Sequence, residues 1–98
     1  MKVQFVLTAI QHCNYCDEAG KYFNLTLSKK YPGIGFSMIT ISDEQVKKAL
    51  KEMPKTMFPI LSVCTIEGEC IDNISGTMYK KDIEEFVKKW VDKSKEDN

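Results

Sequence analysis

The sequence predicts an α/β domain with a mixed four-stranded sheet and helices on both of its faces. Strand-like apolar segments and amphipathic helical segments alternate in the order β-α-β-α-β-β-α. Strands joined through a helix need crossover connections, so some of them pair in parallel. The last two strands are separated only by a short turn, and they therefore form an antiparallel hairpin.

The first strand and the first helix begin the chain. Residues 3–9 are rich in apolar and β-forming side chains, which favours a strand. Residues 13–30 predict a helix, because Ala19, Phe23 and Leu27 recur every four residues and form one buried stripe.

A stop signal separates these elements from the second strand and the second helix. The Tyr-Pro-Gly stretch at 31–33 ends the first helix, and residues 35–41 predict a strand. Ser42 and Gln45 form a capping-box pattern that starts the next helix, and Pro54 ends it. The predicted apolar face of this helix consists of Val46, Ala49, Leu50 and Met53.

The hairpin and a last helix complete the predicted domain. Residues 60–66 and 69–74 predict the two hairpin strands, with residues 67–68 as a two-residue turn. The last helix has an apolar stripe formed by Ile83, Phe86, Val87, Trp90 and Val91. We expect a single domain at 1–93 followed by a polar tail at 94–98.

Composition and charge narrow the functional classes. The chain has 98 residues, and its 14 lysines balance 14 acidic residues, so no net charge attracts it to nucleic acid or to an anionic membrane. No stretch approaches the roughly 20 apolar residues of a membrane span, and no signal-peptide cleavage site follows the first strand. We therefore expect a monomeric cytoplasmic protein, in which thiols stay reduced unless they are catalytic.

Two cysteines, Cys13 and Cys16, form a C-x-x-C motif between the first strand and the first helix. They could be a redox pair, half of a metal site, or two packed thiols. A helix N-terminus offers unpaired N–H groups and a partial positive charge, so we expect the pKa of the Cys13 thiol to be lowered. Cys16 lies one turn later, close enough to attack a mixed disulfide on Cys13.

The motif does not stand alone, because Pro59 follows Cys16 by 43 residues and Gly76 follows Pro59 by 17. A C-x-x-C at a helix start, a proline before the hairpin and a glycine before the last helix resemble the thioredoxin/glutaredoxin superfamily. The resemblance covers nearly the whole chain. It implies a thioredoxin fold and a dithiol–disulfide oxidoreductase with Cys13 as nucleophile, Cys16 as resolving cysteine, a redox-active disulfide between them, and no bound cofactor or metal.

The same resemblance implies roles for the residues around the pair. Pro59 would be a cis-proline that presents the backbone of Phe58 to an extended substrate, although a trans proline at the start of a strand is the plainer alternative. Tyr15 and Gly76 would also contact substrate. His12 and Asn14 flank Cys13 and would tune its pKa, with an exposed polar loop residue as the plainer reading of His12.

Several positions depart from the family patterns and leave the electron donor open. Asn14 replaces a proline, His12 replaces a tryptophan of thioredoxins, and Leu7 stands where thioredoxins carry a buried acid. Asp17 and Glu18 beside the motif would repel glutathione, which is anionic. The client is expected to be a protein disulfide, and the electron source either a thioredoxin reductase or glutathione.

Cys64 and Cys70 flank the predicted hairpin turn. With a two-residue turn they point to opposite faces of the sheet, so we expect free packed thiols rather than a disulfide; a three-residue loop would change this register. Two rival functions remain beside the oxidoreductase. One is a zinc or iron–sulfur protein that uses the four cysteines or glutathione, and the other is a redox-inactive adaptor module.

Overall fold

The computed structural model describes residues 2–42, 44, 45, 48 and 58–96. In this part of the chain, four strands form one sheet in the order β2-β1-β3-β4. The strands are β1 (Val3–Ile10), β2 (Gly35–Ile41), β3 (Ile60–Thr65) and β4 (Cys70–Ser75). The helical segments whose bounds lie within the described residues are α1 (Asn14–Tyr22), a π-helical segment (Phe23–Leu27), α2 (Ser28–Lys30) and α3 (Lys80–Glu96).

The sheet is mixed, as predicted. Strand β1 pairs in parallel with β2 and antiparallel with β3, and β3 pairs antiparallel with β4. The parallel pair is joined through the helical segments between Asn14 and Lys30, which provide the crossover that parallel strands require. Because β1 is an inner strand, its carboxyl end and the C-x-x-C motif that follows lie between the ends of β2 and β3.

Alternating burial along β1 shows which face of the sheet carries the main core. Val3, Phe5, Leu7 and Ala9 are buried, and the residues between them are partly exposed. The core cluster combines this face of β1 with side chains of β3, the first helical segments and α3. Its helical members are Ala19, Phe23, Leu27, Ile83, Phe86, Val87 and Val91. Both predicted helical stripes are therefore confirmed as core-facing, on the same face of the sheet.

The helix predicted to start at Ser42 lies mostly outside the described residues, including its expected apolar face and Pro54. Its start is described, and Glu44 and Gln45 are helical. The Ser42 N–H donates to Gln45 Oε1 at 3.0 Å, and the Gln45 N–H donates to Ser42 Oγ at 3.3 Å. These reciprocal bonds are those of a capping box, so the predicted cap is confirmed.

The last helix is longer than the sequence predicted. Residues 94–96 were expected to belong to a polar tail, but α3 continues to Glu96. Ser94 is buried, and its Oγ donates to the carbonyl oxygen of Val91 at 2.7 Å, which satisfies the hydroxyl inside the helix. Among the described helices, none combines the length and the apolar character needed to cross a bilayer.

The hairpin differs from the prediction by one residue in its loop, and this difference joins two cysteines. The Thr65 N–H donates to the carbonyl oxygen of Glu69 at 2.8 Å, so the loop is Ile66-Glu67-Gly68 and not a two-residue turn. Gly68 has a φ of 100°, the left-handed conformation that a three-residue hairpin loop needs at its last position.

With this loop, Cys64 faces Cys70 directly across the two strands, and the two are joined by a disulfide. The expectation of two free thiols on opposite faces is therefore wrong. The physical reason is that side chains alternate between the two faces of a strand. One additional residue in the loop therefore shifts the pairing by one residue, and side chains expected on opposite faces come to lie on the same face. A further register shift follows between Val63 and Cys64.

Candidate active site at the start of the first helix

A short, tightly bent segment connects β1 to α1. Strand β1 ends at Ile10, and His12 has a φ of 58°, in the left-handed region that non-glycine residues seldom adopt. Cys13 returns to an extended conformation with φ −125° and ψ 105°, and Asn14 is the first helical residue. The bend at His12 therefore places Cys13 at the N-cap position, at the carboxyl edge of the central strand.

Cys13 caps the helix with its sulfur atom. The backbone N–H of Cys16 donates to Cys13 Sγ at 3.1 Å, and the N–H of Asp17 donates to the carbonyl oxygen of Cys13 at 3.1 Å. The first of these bonds takes the place of the one that an N-cap oxygen normally accepts. A helix N-terminus favours negative charge, so the same N–H group is placed to stabilise a thiolate on Cys13 when the pair is reduced.

Cys13 and Cys16 are joined by a disulfide, with their Cα atoms 5.2 Å apart. Cys16 has no exposed surface, whereas Cys13 is partly exposed. Disulfide exchange requires access to the sulfur under attack. An incoming thiolate can therefore reach the bond only from the side of Cys13.

The loop before β3 contributes an apolar wall to this site. Phe58 is 5% exposed and forms a small buried cluster with Ala9 and Cys16, against which Cys13 packs. The peptide bond between Phe58 and Pro59 is cis, which confirms the predicted isomer. The structure thus brings Phe58, more than forty positions later in the chain, to the C-x-x-C pair.

Gly76 is held against the same loop. Its N–H donates to the carbonyl oxygen of Pro59 at 3.2 Å, and its φ of 89° is one that a glycine adopts without strain. The sequence spacing between Pro59 and Gly76 therefore corresponds to a direct backbone contact. The contact fixes the start of the connection to α3 beside the loop that carries Phe58.

The remaining predicted site residues differ in how a substrate could reach them. His12 and Asn14 are exposed, and Tyr15 has 49% of its surface exposed. The side chains of Phe58 and Pro59 are buried, so Tyr15 is the predicted substrate contact whose side chain stands free. The contacts predicted for these residues stay predictions.

One neighbour of the site was not singled out from the sequence. Met38 on β2 packs against the cluster of Ala9, Cys16 and Phe58, and it also contacts the main core. A side chain added at Gly20 of α1 would meet Met38 Sδ at 2.8 Å, which shows how closely the helix and β2 approach. Strand parity was the available signal, because Met38 pairs with Leu7 on the buried face.

The four cysteines do not converge on one point. Cys64 pairs with Gln4 near the beginning of β1, whereas Cys13 follows the end of that strand. Within residues 2–42, 44, 45, 48 and 58–96, no three His, Cys, Asp or Glu side chains are grouped as metal ligands. The alternative in which all four cysteines hold one metal ion is therefore not the arrangement that the structure has.

In sequence, no protein-family model and no curated protein matches the chain. In structure, it is similar to several thioredoxins. The thioredoxin of Fasciola hepatica matches with a TM-score of 0.66 and 19% identity, over 90% of this chain and 80% of that one. The oxidised thioredoxin of Plasmodium falciparum matches with a TM-score of 0.64 and 17% identity, over 91% of this chain and 81% of that one.

The reduced thioredoxin pre-protein of Schistosoma mansoni matches with a TM-score of 0.63 and 23% identity, over 90% of this chain and 78% of that one. At these identities and TM-scores, the similarities show a shared fold. The chain therefore has the thioredoxin fold, with a disulfide-bonded C-x-x-C pair at the start of its first helix.

Proposed function

We propose that this protein is a thiol–disulfide oxidoreductase that reduces disulfides in other proteins. The observation that carries the proposal is the asymmetry of the C-x-x-C disulfide, in which Cys13 is reachable and capped by the helix while Cys16 is fully buried. The sulfur of Cys13 can contact a substrate, whereas the sulfur of Cys16 can contact only that of Cys13. That division of roles is what a two-step exchange requires.

The reaction begins with the reduced pair. The Cys13 thiolate attacks one sulfur of a substrate disulfide, a new S–S bond joins Cys13 to the substrate, and the other substrate sulfur leaves as a thiolate. Cys16, deprotonated, then attacks Cys13 Sγ, which releases the second substrate thiolate and forms the Cys13–Cys16 bond seen here. Two electrons pass to the substrate, whose two thiolates take up protons from water.

The site geometry supports each step. The Cys16 N–H, 3.1 Å from Cys13 Sγ, stabilises negative charge on this sulfur when it attacks as a thiolate. The cluster of Ala9, Cys16 and Phe58 shields the resolving thiol from solvent. Tyr15, exposed beside the pair, offers an aromatic surface to the substrate, and the backbone of Phe58, Pro59 and Gly76 is our proposed platform for its extended segment.

The charges next to the motif favour a protein reductase over glutathione as the electron source. Asp17 and Glu18 are both exposed in the first two turns of α1. Glutathione carries a net negative charge and would be repelled by these carboxylates at low ionic strength. We propose a monomeric cytoplasmic electron carrier that is re-reduced by a flavoprotein thioredoxin reductase.

Activity and electron source can be measured together. Reduction of insulin, followed by turbidity, should proceed with NADPH and a thioredoxin reductase, and it should be absent with Cys13→Ser. Reduction of hydroxyethyl disulfide with glutathione and glutathione reductase should be slow in comparison. Wild-type protein no faster than Cys13→Ser in both assays would instead support a redox-inactive adaptor.

The metal-binding alternatives need a separate measurement on protein purified without oxygen. Zinc is measured by elemental analysis, and an iron–sulfur cluster by its absorbance in the visible range. Stoichiometric zinc, or a cluster lost in Cys13→Ser, would replace the oxidoreductase by a metal-binding function.

A further inference from the structure

The hairpin carries a second disulfide, and its two cysteine residues are unequally exposed. Cys64 in β3 is 2% exposed, and Cys70, the first residue of β4, is exposed. The two residues are direct cross-strand partners, and the three-residue loop between Thr65 and Glu69 closes the hairpin just beyond them. Cys64 is therefore shielded from solvent, while Cys70 lies at the surface.

This disulfide is remote from the C-x-x-C pair. Cys64 lies opposite Gln4, and Cys13 follows Ile10 at the other end of the same strand. Six strand residues at about 3.3 Å each separate these levels by roughly 20 Å. A thiolate on Cys13 therefore cannot reach the hairpin disulfide of its own chain, and the two pairs must exchange electrons independently within one molecule.

We propose that Cys64–Cys70 is a second thiol–disulfide exchange site, at which an external low-molecular-weight thiol attacks Cys70 Sγ. Exchange needs a nucleophile to approach the sulfur under attack from the side opposite the S–S bond. The exposure of Cys70 permits that approach, and the burial of Cys64 blocks it from the other end. The reaction is therefore directed to one sulfur.

The chemistry balances with two thiols. The first thiolate forms a bond to Cys70 Sγ, the S–S bond to Cys64 breaks, and Cys64 leaves with the electron pair and takes up a proton. A second thiolate attacks the external sulfur of this mixed disulfide and releases Cys70 as a thiol. In sum, the hairpin disulfide gains two electrons and two protons, and two thiols become one small disulfide.

The hairpin loop has hydrogen bonds in which the disulfide takes no part. The Thr65 N–H bonds the carbonyl oxygen of Glu69 at 2.8 Å, and the Gly68 N–H bonds the carbonyl oxygen of Thr65 at 3.0 Å. The Glu69 N–H also donates to Thr65 Oγ1 at 3.2 Å. None of these bonds involves a sulfur atom, so the pair can cycle between two states of a folded protein.

Local charge selects among thiols. Glu67 and Glu69 are exposed carboxylates in the loop and immediately before Cys70. They repel an anionic thiol such as glutathione and attract a cationic one such as cysteamine, and the difference is screened by salt. At low salt, and after correction for the thiolate fraction of each reagent, we expect cysteamine to react several-fold faster than glutathione.

The test uses the full chain with Cys13→Ser and Cys16→Ser, so that the only disulfide is that of the hairpin. The oxidised protein is exposed briefly to glutathione or cysteamine, quenched with acid, and mapped by mass spectrometry. We expect the mixed disulfide on Cys70, in at least roughly tenfold excess over Cys64. An adduct mainly on Cys64, or no reduction of the folded protein at thiol concentrations that reduce an exposed disulfide in a peptide, would overturn the proposal.

Two further measurements test the accessibility of Cys70 and the charge selection separately from any folding defect and from the C-x-x-C activity. In wild-type protein reduced fully and then pulsed with iodoacetamide, Cys70 should be labelled and Cys64 only after addition of denaturant. Equal labelling of both cysteines in protein with native circular dichroism would contradict the proposal. Glu67→Gln with Glu69→Gln should remove the preference for cysteamine, and an unchanged preference would refute the charge selection.

Discussion

The backbone amide of Cys16 donates a 3.1 Å hydrogen bond to the sulfur of Cys13, three residues earlier in the chain. The sulfur thus occupies the place of an N-cap oxygen, so the atom that caps the helix is also the one we propose as the nucleophile. Because Cys16 is buried and Cys13 is partly exposed, only Cys13 is open to a reactant from solvent.

Replacement of either cysteine should separate the two steps of the proposed reaction. With Cys16→Ser, Cys13 still attacks a protein disulfide, but the mixed disulfide cannot be resolved from within the chain and should accumulate. With Cys13→Ser, the remaining thiol is buried and should form no adduct. Non-reducing mass spectrometry after incubation with a disulfide-bonded protein measures both, and an adduct on Cys16 in Cys13→Ser would contradict this division of roles.

At the start of α1, a proline should stabilise the protein at residue 14 and destabilise it at residue 15. Asn14 is the first helical residue, where the N–H has no partner in the helix, and Cys13 before it has the extended conformation that a following proline requires. Asn14→Pro should therefore stabilise the protein by about 0.4–1 kcal/mol.

Tyr15→Pro is the matched control for this change. It would place the helical Asn14 before a proline, which clashes with the helical conformation, so the free energy of unfolding should fall. Urea titrations of both variants decide the matter. Stabilisation by both prolines, or by neither, would show that the described helix start is not the one in solution.

The core under the first helix should depend on Phe23. This side chain has no exposed surface, and its ring meets that of Phe36 edge to face, with centroids 5.0 Å apart. Phe23→Ala leaves a cavity and should lower the free energy of unfolding by about 3–5 kcal/mol. Leu25→Ala, two residues away and 64% exposed, should change it by no more than about 0.5 kcal/mol.

An ion pair between the first helical segments and α3 should make stability sensitive to acid. Glu84 accepts hydrogen bonds from Lys30 and, at 3.0 Å, from the Tyr22 hydroxyl. The bond from Lys30, and then that from Tyr22, hold the pKa of Glu84 below its ordinary value. The same pair raises the pKa of Lys30, while burial and then the bond to Glu84 raise the pKa of Tyr22.

A carboxyl group whose pKa is lowered in the folded state stabilises the protein above its unfolded pKa and loses that contribution as the pH falls through the folded value. Wild type should therefore be more stable than Glu84→Gln at neutral pH, and the two should converge in acid. Glu85→Gln, at an exposed neighbouring position, should follow wild type across the range. Thermal unfolding between neutral pH and about pH 3 tests this, and a constant difference would contradict it.

Periodicity and local signals in the sequence predicted the described helices and strands and the place of the C-x-x-C pair in the fold. The four-residue spacing of Ala19, Phe23 and Leu27 predicted a core-facing helix, and all three are buried. The C-x-x-C motif and the spacing to Pro59 and Gly76 predicted residues that the fold brings together. These features could be predicted because each depends on residues that are close in sequence, or on a resemblance that includes their spacing.

Features that depend on exact register or on distant partners were decided only by the tertiary structure. One additional residue in the hairpin loop places Cys64 opposite Cys70, because side chains alternate between the faces of a strand. Glu84 meets Lys30 and Tyr22, 54 and 62 positions earlier, only because α3 packs beside the first helical segments. Within the described residues, the sequence by itself determined which segments become helices and strands and that the C-x-x-C cysteines lie at a helix start. Packing decided which of those sulfurs are paired, buried or open to attack, since that depends on contacts which no local pattern encodes.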